Sequence, residues 1–217
     1  MELLNDKDVR VLGSLAEKEL TTPENYPLSL NALRNACNQL SNRDPVVEYD
    51  EATVKAAVDR LRKYSLVRSI QRADARIMKY MHLMSDALDL DRPEIAAMCV
   101  LMLRGPQTVG EIRTRTARLF DFQNLDEVET TLNALAVRTP SPLVTRLERQ
   151  AGQKEARFAH LLSGEVPLVT SPTSGQTALP VRHDSDRLEA LENAVELLRS
   201  EVTDLRAELV ELKRLFE

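Results

Sequence analysis

The residues best placed to do chemistry are basic. Between positions 62 and 79 lie Arg62, Lys63, Arg68, Arg72, Arg76 and Lys79, against one acid, Asp74. Cations carried on a strand–turn–strand segment suit contact with phosphates or a minor groove. Just upstream, Val54, Val58 and Leu61 recur at helical spacing and turn inward. Thr53, Ala56, Asp59, Arg60 and Lys63 are then left largely outward, a mixed face of the kind that enters a major groove. The candidate DNA contacts are therefore Thr53, Arg60, Arg62, Lys63, Arg68, Arg72, Arg76 and Lys79. A secondary basic patch comprises Arg113, Arg115 and Arg118, then Arg146, Arg149, Lys154 and Arg157. It lies near the run Leu125-Asp126-Glu127-Val128-Glu129, whose acids repel phosphate or else complement a helix dipole. This second patch is expected to touch a DNA backbone or to form a solvated, salt-bridged face.

Other chemistry is not expected. His82 and His160 occupy matching places at the ends of two hairpin-like segments, without carboxylates or thiols at ligand spacing, so a structural role is expected for both. His183 falls in a linker-like stretch. Cys37 and Cys99 stand alone without a CxxC partner and read as free thiols of a reducing cytoplasm. The polar pairs Asn38-Gln39 and Asn42-Arg43 suit helix termination as well as function. There is no phosphate-binding glycine loop, nucleophile elbow or paired-His zinc motif. The reading is of a non-enzyme with no catalytic residue, metal or cofactor.

The elements that must position these residues repeat. Leu66-Val67 and Lys79-Tyr80-Met81-His82-Leu83 match Leu143-Val144 and Arg157-Phe158-Ala159-His160-Leu161. Val54, Val58 and Leu61 recur as Val128, Leu132 and Leu135. A repeat of this length means a duplicated domain rather than a solenoid unit. In the first copy, helices are expected over 6–20, from a Ser29 cap to about 40, and over 51–64 behind an Asp50 cap. Strands follow at 66–72 and 76–83. In the second copy, Pro93 suits the first turn of a helix ending at Gly105-Pro106. Thr108 and Glu111 form a capping box that opens a helix to about 120, and Asn124 opens a third to about 137. Strands are expected at 143–150 and 155–162, around a turn in which Gly152 can take a positive φ. Three helices followed by a hairpin is the winged-helix form of the helix-turn-helix. The alternative is two unrelated small α+β modules.

Composition and charge fit this picture. The 217 residues suit two small domains, with 43% hydrophobic and 29% charged residues but only 4% aromatic, so cores rest on aliphatic side chains. Thirteen basic residues face twelve acids in 1–85, ten face eleven in 86–164, and six face eleven in 165–217. The net charge of −5 thus belongs to the tail, and local patches decide what the near-neutral domains attract. The first residues lack the basic and apolar stretches of a signal peptide, and the apolar run 95–103 is too short to span a bilayer, so a cytoplasmic protein is expected.

The C-terminal segment carries a heptad pattern. Pro167, Pro172, Pro180 and Gly175 mark 165–185 as a flexible linker. From 186 to 217, Leu188, Val195, Val202, Leu209 and Phe216 occupy a positions, and Leu191, Leu198, Leu205 and Leu212 occupy d positions. Val at a with Leu at d favours two parallel strands. The g-to-e pairs Arg187–Glu192, Glu201–Arg206 and Glu208–Lys213 are all opposite in sign in that orientation. Strict a/d spacing gives a narrower stripe than an amphipathic helix folded back on its own domains would use. A mixed coil with another protein remains an alternative.

Residues 1–164 closely resemble the bacterial YceH-like family of uncharacterised tandem winged-helix proteins. The resemblance rests on Thr22-Pro23-Glu24-Asn25-Tyr26-Pro27-Leu28-Ser29-Leu30-Asn31-Ala32-Leu33, Ala36-Cys37-Asn38-Gln39, Ser41-Asn42-Arg43-Asp44-Pro45-Val46, Lys79-Tyr80 and His82. In the second half it rests on Leu103-Arg104-Gly105-Pro106-Gln107-Thr108, Glu111-Ile112-Arg113 and Phe158-Ala159-His160-Leu161-Leu162-Ser163-Gly164. It implies the fold and little about activity.

The whole sequence thus reads as mainly α with small β-hairpins. Two tandem winged-helix domains, at 1–85 and 86–164, precede a linker at 165–185 and a coiled coil at 186–217. The expected function is that of a dimeric DNA-binding transcription regulator, with duplex DNA and a second copy of the chain as partners and no membrane. The alternative is a protein-interaction or scaffold protein, similar in architecture to bacterial chromosome-condensation accessory proteins. Sedimentation equilibrium tests the coil: the full chain is expected to run as a dimer and a chain cut after Ser185 as a monomer. Equal masses per chain in both samples would remove the coil as the dimerising element.

Overall fold

A computed structural model of the chain describes residues 3–71, 77–149 and 155–164. The linker and the heptad residues Leu188, Leu191, Val195, Leu198, Val202, Leu205, Leu209, Leu212 and Phe216 lie outside the described residues.

Helix α1, Asp6–Thr21, opens on a capping box in which Asn5 and Asp8 satisfy each other's backbone N–H groups. A 3-10 turn, Pro23–Asn25, leads to a two-residue strand β1, Leu28–Ser29. Ser29 then caps α2, Leu30–Cys37, and Asp50 caps α3, Glu51–Lys63. Strands β2, Val67–Ile70, and β3, Lys79–His82, complete a three-stranded antiparallel sheet in the order β1-β3-β2. After a single helical turn, α4, Met84–Ala87, the order begins again. Helix α5, Arg92–Arg104, has an Asp91/Glu94 capping box and stops at Gly105, whose φ of 69° suits glycine. Helices α6, Val109–Thr116, and α7, Leu125–Ala136, follow, capped by Thr108 and Asn124. Strands β4, Val144–Arg146, and β5, Phe158–His160, pair antiparallel. The chain is thus mainly helical with small antiparallel sheets, an arrangement consistent with a winged-helix-like fold.

The two sets of helices meet along α1 and α5, the most extensive contact between elements. Residues 8–17 of α1 and 95–103 of α5 are buried without interruption. A helix buried on every side belongs at the centre of a core. Helices α2 and α3 cover α1, α6 and α7 cover α5, and one apolar cluster runs through all six. Gly13 permits the central approach: a Cβ there would lie 3.0 Å from Leu103 Cδ2 and 3.1 Å from Met102 Cβ. Two backbone hydrogen bonds also join the sets, Leu4 N to Leu162 O (2.8 Å) and Asp44 N to Leu103 O (2.9 Å).

The charged groups caught in this core, Asp8, Arg10, Glu17 and Arg43, are paired. Arg43 is buried and forms a bidentate pair with Glu17 at 2.6 and 3.0 Å, while also donating to Ala36 O. Burial works against ionising Glu17, but the hydrogen bonds and charge of Arg43 more than offset it and hold the carboxyl below its usual range. Arg10 donates to Cys37 O and Pro45 O. Cys37 and Cys99 are free and buried. His82 accepts from Met84 N at 3.2 Å through Nδ1 and places Nε2 2.5 Å from Glu19, so its ring ties β3 to α1.

Several elements differ from expectation. The second helix stops at Cys37 rather than about 40 because the Asn38 amide bonds both the N–H and the C=O of Tyr49, at 2.8 Å each. The helix expected to reach 120 ends at Thr116, where Leu119 and Phe120 N–H groups both turn back onto Thr116 O. The strands are shorter than expected, with β1 and α4 additional.

Two stability predictions follow from buried charge. Arg43→Met strands Glu17 in the core and is expected to cost about 3–5 kcal/mol in urea unfolding, most of it regained in Glu17→Leu/Arg43→Met. A loss below about 1 kcal/mol would show the pair to be dispensable. Burial also lowers the His160 pKa to about 4 from 6.5. Between those values the unfolded chain takes up a proton that the folded chain refuses. Stability is therefore complete above pH 6.5 and falls by up to about 3 kcal/mol as pH drops to 4. Unfolding midpoints of His160→Phe are expected to fall less steeply across that range; parallel profiles would contradict the assignment.

Candidate nucleic-acid interface

Helix α3 buries Val54, Ala57, Val58 and Leu61, as its spacing requires, and so fixes which side chains face out. Thr53 is half-buried in the first turn and tied to the Asp50 cap, its N–H donating to Oδ1 at 2.8 Å. Arg60 turns onto α1: its guanidinium reaches buried Asp8 at 2.8 Å, and this hydrogen bonding raises its pKa. Asp59 is held between Lys55 at 2.5 Å and Arg62 at 3.6 Å. Arg62 and Lys63 are exposed at the end of the helix, immediately before the hairpin.

The hairpin register sorts the remaining candidates. Val67 pairs with His82 and Ser69 with Tyr80, and Val67, Tyr80 and His82 are buried. Arg68 pairs with Met81 and Ile70 with Lys79, so these four share the opposite, outer face. Arg68 and Lys79 are exposed there with no partner among the described residues. Arg72 and Arg76 lie outside the described residues, as does Lys154. Of the eight primary candidates, the structure leaves Arg62, Lys63, Arg68 and Lys79 outward and commits Arg60 and Thr53 to local contacts.

The described members of the second patch are engaged in different ways. Arg113 donates to Phe122 O and Gln123 O, bracing the α6–α7 connection. Arg157 grips Glu111 at 2.9 Å and donates to Pro106 O. Arg146 stacks over the Phe158 ring, 5.9 Å from its centroid. Arg149 and Arg118 are exposed without partners among the described residues, and Arg115 is 3.8 Å from Glu111. Arg115 and Arg118 instead join Lys18 and Arg104 around a cavity between α1, α5 and α6. Neither Lys18 nor Arg104 stood out in sequence, since each lies near the end of a helix whose central residues are buried. In α7, Glu127 accepts from Gln123 N at 2.7 Å, serving the helix start, while Asp126 and Glu129 face solvent.

Comparison with known proteins places the chain. A family model described as a protein of unknown function, DUF480, matches residues 4–153. The chain is 51% identical over 217 residues to a UPF0502 protein of Geotalea uraniireducens, covering 99% of this chain and 98% of that one. It is 50% identical over 199 residues to a UPF0502 protein of Opitutus terrae, covering 92% and 84%. A UPF0502 protein of Aliivibrio fischeri is 44% identical over 219 residues, with coverage of 99% and 97%. Two of these alignments span nearly the whole chain and so take in the heptad segment as well as the helical part. The motifs that suggested a YceH-like protein and these near-full-length matches agree: the chain belongs to the bacterial DUF480/UPF0502 family.

Proposed function

We propose that this protein is a dimeric, non-enzymatic DNA-binding regulator of the cytoplasm, built from two tandem winged-helix domains and joined to its second copy by the C-terminal coil. The observation that carries the reading is the sorting of cations in the first half. Arg10, Arg43 and Arg60 are committed to internal partners, whereas Arg62, Lys63, Arg68 and Lys79 are outward on the end of α3 and the adjoining hairpin. In a winged helix these are the third helix and the wing, the elements that meet a groove and its flanking phosphates. Arg68 and Lys79 would act as phosphate contacts, and α3 would lie along the major groove. The second domain would contribute less, since the third helix of that half begins with exposed acids. No helix among the described residues is long and apolar enough to cross a membrane.

A protein-binding role has a different observation in its favour. The N-terminal part of α7 presents Asp126 and Glu129 along with Leu125, which is 48% exposed, a mixed acidic and apolar surface suited to a basic protein partner.

Fluorescence anisotropy against random-sequence duplex across a salt series separates the two. Full-length protein is expected to bind at low salt with an affinity falling steeply as salt rises. Arg68→Ala/Lys79→Ala is expected to weaken binding to all sequences and to lower the salt slope by roughly two. No binding at low salt, or a double variant with an unchanged slope, would overturn the DNA assignment.

A further inference from the structure

The cavity between α1, α5 and α6 has a volume of about 140 Å³. Buried Cys99, Val100, Leu103 and Leu119 form its apolar part. Its rim is cationic: Lys18 comes from α1, Arg104 from the end of α5, Arg115 from α6, and Arg118 from the turn beyond. Glu17 is the one acid in the lining, and both its oxygens are taken by Arg43, with Lys18 3.3 Å away. Glu111, beside Arg115, is engaged by both terminal nitrogens of Arg157. Asp44 is near enough to act on Arg104. Six cations (Lys18, Arg43, Arg104, Arg115, Arg118 and Arg157) thus face three carboxylates, leaving a net charge of +3.

The carboxylates are shared: Glu17 serves Arg43 and Lys18, and Glu111 serves Arg157 and Arg115. Arg104 has a neutral partner, Asn42 Oδ1. Burial, then repulsion from Arg115 and Arg43, lowers its pKa. Gln39 directs Oε1 at both Lys18 and Arg43. With their oxygens facing cations, the Gln39 and Asn42 side-chain NH2 groups remain as donors, beside the Ser41 hydroxyl. A recessed cluster of one sign with partly apolar walls focuses its field on whatever enters. Arginine forks match the geometry of phosphate oxygens.

We propose that this cavity binds the phosphoryl end of a small phosphorylated ligand, held by Arg104, Arg115, Arg118 and Lys18 across the junction of the two helical sets. Drug-sized ligand pockets begin at about 300 Å³. The smaller volume fits a phosphate or diphosphate, with the rest of the ligand outside the mouth. The concave setting, backed by buried side chains, favours a small ligand over the rod-like backbone of duplex DNA. The site is separate from the proposed DNA face, because none of its residues lies on α3 or the first hairpin.

Isothermal titration of the full chain with pyrophosphate, at constant ionic strength in chloride, tests the site. One pyrophosphate is expected per chain, with affinity reduced roughly tenfold or more in Arg115→Ala/Arg118→Ala and unchanged in Arg68→Ala/Lys79→Ala. Both substituted arginines lie at the rim, and thermal melting of the ligand-free variant is expected to match the parent. Arg118→Glu alone provides a second variant and is expected to abolish binding. Absence of heat up to millimolar pyrophosphate, or equal affinity in the rim variants, would overturn the proposal. So would loss of duplex DNA affinity in the rim variants when the parent takes no pyrophosphate, since the phosphate would then be that of DNA.

Discussion

Helices α1 and α5 are buried on more faces than any single layer of neighbours covers, and their contact with each other is the most extensive between elements. The rest of the structure follows from that contact. Gly13 brings the axes close, α2 and α3 wrap the free side of α1, and α6 and α7 wrap the free side of α5. Because α1 is central, its charged residues Asp8, Arg10 and Glu17 are buried too. A buried charge is tolerable only with a partner. Each therefore recruits one from elsewhere: Arg60 from α3, the Cys37 and Pro45 carbonyls, and Arg43 from the loop after α2.

That recruitment decides which basic residues remain to meet anything outside. Arginines look alike in a sequence, but here some are struts between segments while others are left exposed or line a cavity. Arg43, Arg60, Arg113, Arg138 and Arg157 are struts, each bonded to a carbonyl or carboxylate of another segment. Arg62, Lys63, Arg68 and Lys79 stay on one side of the first half, and Arg104, Arg115 and Arg118 gather at a cavity. A near-neutral helical body thus carries two separate concentrations of positive charge.

Much of the architecture was legible in the sequence because its signals are local. The Asn124 cap, the Thr108/Glu111 box and the Gly105 stop act within a turn of helix. The inward set of α3 follows from a 3.6-residue period. Less legible were features set by distant partners. Strand β1 exists because Leu28 meets Tyr80 and Ser29 meets Lys79, fifty or more positions away. The early stop of α2 depends on Asn38 reaching Tyr49, and the inward turn of Arg60 depends on Asp8. On the candidate face, pattern alone separated inside from outside but not free cations from paired ones. The cavity was invisible because Lys18, Arg104 and Arg115 stand on three different helices.

The glycine at position 13 also bears on how the molecule is lost as well as how it is built. With α1 and α5 sharing one interior, neither half keeps a complete core when the other opens. Two modules joined by a loose tether would melt one after the other, each surviving the other's failure. A shared seam of this kind favours the loss of both sets of helices together. Damage at one end is then expected to reach the helices at the other, because both sets rest on the same seam.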